Sequence, residues 1–139
     1  IKKMDNEKLI EELKRDEGIE HKAYQDSLGI WTIGVGRNIQ EVGLSQDEIE
    51  YLLVNDIIQC TKELNKTFDW YKDLNDARTR ALINMCFNLG LTRLLGFKKF
   101  LAAMEAKDWE KAGTEMMDSK WSKQVGARSE RLRIMIVEG

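Results

Sequence analysis

One long amphipathic helix near the middle of the chain constrains the fold more than any other feature. Leu44-Ser45-Gln46-Asp47-Glu48-Ile49 opens it. Ser45 and Glu48 form a capping box, each side chain able to satisfy the other residue's free backbone N–H, and Leu44 with Ile49 forms a hydrophobic staple. Ile49, Leu52, Leu53, Ile57, Cys60 and Leu64 then keep helical period for about five turns. This is long for a chain of 139 residues, and it makes a natural spine between two lobes.

On either side the periodicity predicts different structure. Asp5 caps a helix running to Glu17, with Leu9, Ile10 and Leu13 on one face and Gly18 as the stop. Then the period changes: Trp31, Ile33 and Val35 alternate with Thr32, Gly34 and Gly36, the signature of a strand. Asp26-Ser27-Leu28-Gly29 is a turn, so residues 21–37 read as a small antiparallel hairpin or three-stranded sheet. The expectation is that the apolar face seals a core. The other face, Thr32 and two glycines, should leave room for something bulky against the backbone. Further helices are predicted from Asp76 to Leu89, closed by Gly90, from Phe97 to Ala106, from an Asp108 cap to Asp118, and from Gly126 onward. The class is α+β, mostly helical, with its small sheet near the N-terminus. With no proline, repeat, low-complexity segment or linker, residues 1–139 read as a single domain.

Composition narrows the class of partner. Hydrophobic residues make up 42% and charged residues 33%, as in ordinary globular proteins. No apolar run approaches the length of a bilayer span, so stable membrane insertion is not expected. The start, Ile1-Lys2-Lys3-Met4, leads into acidic helical sequence and shows no signal peptide. Cys60 and Cys86 sit on helical apolar faces and read as free thiols, with a disulfide as the alternative. One histidine and no paired cysteines make a zinc site improbable, and no cofactor is called for. The net charge of −2 hides an uneven distribution: Lys120, Lys123, Arg128, Arg131 and Arg133 face one acid, Glu130. A basic face suits an anionic polymer such as a bacterial cell wall better than nucleic acid, although a solvated helix face is the plainer reading.

The chemistry concentrates between residues 17 and 36. Glu17 ends a helix, Asp26 sits at a hairpin turn, and Thr32 lies on the next strand. Two carboxyls and a hydroxyl on separate elements can place an acid, a base and a water around one glycosidic bond. The negative end of the helix dipole favours a protonated carboxyl at Glu17, as a general acid needs. Taken singly, Glu17 and Asp26 would be surface charges and Thr32 an ordinary strand residue. His21 reads as an exposed strand-end residue. Trp109 and Trp121 read as anchors between helices, and Met85, Met104, Met116 and Met117 as core filler.

Context reverses that reading. Glu-Gly, eight residues to Asp, then Gly-x-x-Thr-Ile-Gly-x-Gly resembles the signature of the T-even-type phage lysozymes, glycoside hydrolase family 24. The similarity continues through Ala81-Leu82-Ile83-Asn84-Met85-Cys86-Phe87-Asn88-Leu89-Gly90, Gly96-Phe97, Trp109-Glu110-Lys111-Ala112, Ser119-Lys120-Trp121 and Gly126-Ala127-Arg128-Ser129-Glu130-Arg131, in order and spacing. The resemblance implies a lysozyme-like two-lobe fold with a long inter-lobe helix. It also implies inverting hydrolysis of the β-1,4 bond between N-acetylmuramic acid and N-acetylglucosamine. Glu17 would be the general acid, with Asp26 and Thr32 holding the attacking water. Asn38, Phe87, Asn88 and Arg128 match substrate-binding positions, Arg128 beside the catalytic glutamate and tying the lobes together. The implied partner is the peptidoglycan glycan strand, met by a monomer in the periplasm after a separate holin releases it from the host cytoplasm. Carriage in a virion tail is the alternative location. Alternative functions are a lytic transglycosylase on the same fold and a non-catalytic wall-binding or structural phage protein.

Departures from the pattern carry expectations too. Arg37 stands where many members have histidine, and Asp56 matches the acid that pairs with it, which suggests an Arg37–Asp56 ion pair. Residues 37–45 are shorter than in the best-known member, and Phe100 and Glu115 replace small polar glycan contacts. Subsite preference should differ accordingly.

Overall fold

The computed structural model describes residues 3–139, so Ile1 and Lys2 of the basic start lie outside the described residues. The order is α1 (Asn6–Glu17), β1 (Glu20–Gln25), β2 (Trp31–Gly34), β3 (Arg37–Asn38), α2 (Gln46–Thr67) and a 3₁₀ turn (Tyr71–Asp73). Then follow α3 (Asp76–Leu89), α4 (Leu91–Leu95), α5 (Lys98–Glu105), α6 (Trp109–Met117), α7 (Lys120–Val125) and α8 (Ala127–Glu138). The class is α+β and mostly helical, as expected. Two compact units divide between Glu50 and Tyr51, inside α2, so the long helix belongs to both.

In the first unit, Asp5 caps α1 by accepting from Lys8 N at 3.0 Å. The sheet is antiparallel in the order β1-β2-β3, with Tyr24 opposite Thr32 and Thr32 opposite Asn38. One expectation is reversed here. Thr32 is the buried residue of β2, at 5% exposure, whereas Trp31 keeps 47%. Thr32 sits on the middle strand with a neighbour on each side, and its hydroxyl is satisfied internally, so its burial leaves no polar group stranded. The capping box forms as predicted: Glu48 N donates to Ser45 Oγ at 3.2 Å, and Ser45 N to Glu48 Oε1 at 2.8 Å.

The Arg37–Asp56 expectation is overturned. Arg37 grips Glu48 with two parallel bonds of 3.0 and 2.6 Å and also donates to Gly43 O at 3.1 Å. The fork of a guanidinium matches both carboxylate oxygens at once, and Glu48 is already fixed in place by Ser45. Bonds from the Ser45 backbone N–H first, then from Arg37, hold the Glu48 carboxyl below the usual carboxylate range.

The second unit holds the apolar core. Leu64 from α2, Leu82, Met85 and Cys86 from α3, Leu94 from α4, Phe100 and Met104 from α5, Met116 from α6 and Ile136 from α8 are all buried. Of the apolar line predicted along α2, only Leu64 is buried and Cys60 half-buried. Asn75 and Asp108 cap α3 and α6 through Arg78 N and Lys111 N. A Cβ at Gly113 would stand 2.7 Å from Val137 Cγ2, so α6 and α8 approach more closely than any larger residue allows. Arg78 lies over the Trp109 ring at 3.9 Å while donating to Ile136 O and Val137 O, and so satisfies carbonyls at the end of α8. The methionines expected as filler are buried except Met117, which is half-buried. The expected basic face is partly neutralised, because Arg133 pairs with Glu130 at 2.6 Å.

Candidate active site

Glu17 is the last residue of α1. Gly18 stops the helix at φ 78°, its N–H bonded to Lys14 O at 2.9 Å. The exposed Glu17 carboxyl then reaches the turn between β2 and β3, where Gly36 has φ 63°. A Cβ at Gly36 would stand 2.5 Å from Glu17 Oε2 and 3.0 Å from its Cδ. The absent side chain is the space this carboxyl occupies, so Gly36 serves both the turn and the acid. The room foreseen on the Thr32 face is thus filled, at Gly36, by the protein itself. Gly34 remains open, with nothing within 4 Å of a Cβ.

Asp26 is locked by its own turn. Its Oδ1 accepts from Leu28 N at 2.8 Å and Ile30 N at 3.0 Å, and its carbonyl accepts from Gly29 N at 2.9 Å. This is the Asx-turn geometry that Asp-x-x-Gly favours. Oδ2 has no backbone donor among the described residues. The Ile30 carbonyl then does double duty, accepting from Asp26 N at 2.9 Å and from Thr32 Oγ1 at 2.8 Å. One carbonyl therefore holds Asp26 and the Thr32 hydroxyl in a fixed relation. Neither Ile30 nor Gly36 was singled out as a site residue in the sequence. The Asp-Ser-Leu-Gly-Ile order was a signal for the first, whereas nothing local points Glu17 at Gly36.

The substrate-binding candidates divide. Asn38 pairs with Thr32 across the sheet, but its side chain is engaged in its own turn: Nδ2 donates to Glu41 Oε2 at 3.1 Å and Oδ1 accepts from Glu41 N at 2.9 Å. Asn88 is exposed, but its Oδ1 accepts from Trp121 Nε1 at 2.7 Å and so anchors the buried indole. Phe87 and Arg128 come together in the second unit. With Leu53, Ile57, Ile83 and Asn84 they line a cavity of about 300 Å³, in the range that suits a small ligand. Phe87 is 44% exposed. Arg128 is aimed by Asn84, donating to its Oδ1 at 2.9 Å and to its carbonyl at 3.4 Å. Asn84 is a further residue that sequence reasoning did not assign.

Comparison with known proteins supplies the family. The phage lysozyme family profile matches residues 14–134, a span that holds Glu17, Asp26, Thr32 and every candidate above. Probable T4-type lysozyme 1 of Dictyostelium discoideum is 33% identical over 91% of this chain and 92% of that protein. An endolysin of Acyrthosiphon pisum secondary endosymbiont phage 1 is 34% identical over 85% of this chain and 80% of its own length. The pre-baseplate central spike protein Gp5 of Enterobacteria phage T4 is 30% identical across 96% of this chain, which matches 28% of the spike protein. By the extent of these matches, the chain belongs to the phage lysozyme family.

Proposed function

We propose that this chain is a muramidase, and that residues 1–139 act as one catalytic domain. Membership of the phage lysozyme family makes it a peptidoglycan-lytic enzyme. The finer reading is hydrolysis of the β-1,4 bond between N-acetylmuramic acid and N-acetylglucosamine with inversion at the anomeric carbon. The observation that carries it is the Ile30 carbonyl, which ties Asp26 to Thr32.

The proton inventory explains why. Thr32 spends its one hydroxyl hydrogen on Ile30 O, so toward a water it can only accept. Ionised Asp26 also only accepts, and Oδ2 is its oxygen without a backbone donor. A water bridging the two donates both hydrogens and turns its lone pair toward the anomeric carbon. As its oxygen bonds to that carbon, the glycosidic C–O bond breaks on the opposite face. Glu17 gives its proton to the leaving oxygen, and Asp26 takes one from the water. Exchange with solvent resets both carboxyls. Phe87 and Arg128 would bind the strand in the second unit, while Asn38 and Asn88 act by holding the turn and Trp121.

The biological reading is a monomeric endolysin that reaches the wall after a holin opens the membrane. No helix among the described residues is long and apolar enough to cross a membrane. Similarity to the pre-baseplate central spike protein supports a second reading, delivery within a virion. Mass spectrometry of fragments released from purified peptidoglycan tests the chemistry, with Glu17→Gln alongside. Reducing N-acetylmuramic acid ends, lost in the variant, are expected. Fragments lighter by one water would mean a transglycosylase and would overturn the water-holding roles.

A further inference from the structure

The end of α2 and the following 3₁₀ turn place two aromatic rings together on the second unit. Phe68 and Trp70 stack with centroids 4.7 Å apart and planes 25° from parallel. Phe68 is buried and Trp70 half-buried. Both line a cavity of about 400 Å³ whose facing wall comes from α5, within the range of about 300–1,000 Å³ that accommodates small ligands. Its lining has two chemistries. Phe68, Trp70 and Leu101 are apolar, while Asp69, Lys98 and Glu105 are charged and exposed. None of these three forms an ion pair among the described residues. Lys98 also lines a neighbouring cavity of about 390 Å³ with Phe97 and Glu115, so the two spaces adjoin at the start of α5.

The mixture selects the ligand. A purely apolar partner would strip water from two carboxylates and an ammonium without replacing their bonds, which is costly. A polyanion would meet two carboxylates for each ammonium. A saccharide satisfies both parts: its C–H face packs on an indole, its hydroxyls donate to carboxylates, and an acetamido carbonyl accepts from a lysine. We infer that the cavity lined by Trp70, Asp69, Lys98 and Glu105 is a second saccharide site, taking an N-acetylhexosamine unit of a glycan strand. This rests on the glycan-hydrolase reading above. A second attachment point on an insoluble polymer raises the effective concentration of strand at the catalytic site.

The test is a ¹⁵N NMR titration of Glu17→Gln with the β-1,4-linked tetrasaccharide of N-acetylglucosamine as probe. The Trp70 indole N–H and the Leu101 and Glu105 amides should shift along one saturating curve. Trp70→Ala, and Asp69→Asn as the variant that spares the aromatic stack, should each weaken that curve about tenfold. Shifts confined to the first unit, or curves unchanged in both variants, would overturn the site. Wild-type protein that releases muropeptides while the Trp70 signal of the titrated chain stays still overturns this site alone. A chain that neither releases fragments nor binds the probe overturns the glycan reading together with it.

Discussion

Gly36→Ala separates the placement of the acid from the stability of the fold. At φ 63° an L-residue is strained, which costs about 1–2 kcal/mol. With about 2.1 cal/mol/K per residue of unfolding entropy, that strain lowers the Tm of a chain this size by about 3–7 °C. The second effect is local. The new Cβ would stand 2.5 Å from Glu17 Oε2, so the carboxyl must retreat by about 1 Å to regain ordinary contact. A misplacement of about 1 Å in a catalytic group can cost about a hundredfold in rate, or roughly 2.7 kcal/mol of barrier. Gly43→Ala is the control: φ is 68°, and a Cβ there meets nothing within 4 Å. Both variants should lose similar Tm in calorimetry, while only Gly36→Ala loses about two orders of magnitude in clearing a peptidoglycan suspension. Equal activity losses in the two would refute the claim that Gly36 makes room for the acid.

Other consequences follow from single contacts. Glu48 has a depressed folded-state pKa, so its contribution is present above the unfolded carboxylate value and lost as pH falls through the folded one. Glu48→Gln should therefore lower Tm near neutral pH, and the gap to wild type should narrow as pH falls through and below the usual carboxylate range; a gap independent of pH would contradict the Arg37–Glu48 assignment. Thr32→Val should reduce turnover by at least tenfold at a stability cost of about 1 kcal/mol, with Thr32→Ser restoring activity in the same assay. Asn88→Ala leaves the Trp121 indole N–H unpartnered and should cost about 1–3 kcal/mol in urea unfolding while barely moving KM; the reverse pattern would restore Asn88 to the substrate. Burial, then the neighbouring Cys60, pushes the Cys86 thiol up to about 12. Burial also raises Cys60. Both should resist a thiol-selective disulfide reagent at mildly alkaline pH until the chain is unfolded.

Much of the architecture was legible because local chemistry specifies it. Asp5, Ser45 with Glu48, and Asp108 are side chains that satisfy backbone groups within a few residues of themselves. Gly18 and Gly90 end helices with a positive φ near 78° that other residues resist. The helix at Leu91–Leu95 and the 3₁₀ turn at Tyr71–Asp73 escaped notice, being too short to display a period. The helix at Lys120–Val125 was missed for the same reason. The Arg37 error has a different cause. A charged residue has many candidate partners in sequence, and the capping box had already fixed Glu48 where a fork could reach both its oxygens.

By itself, then, the sequence determined most helix starts and stops, the small antiparallel sheet and the family. These are matters of local hydrogen bonding, hydrophobic period and spacing. Only the tertiary structure decided that Thr32 is buried, that Glu17 rests on Gly36, and that Asn88 serves Trp121. Those contacts join residues whose proximity depends on strand register, turn geometry or helix packing. No local rule encodes such a distance before the chain has closed upon itself.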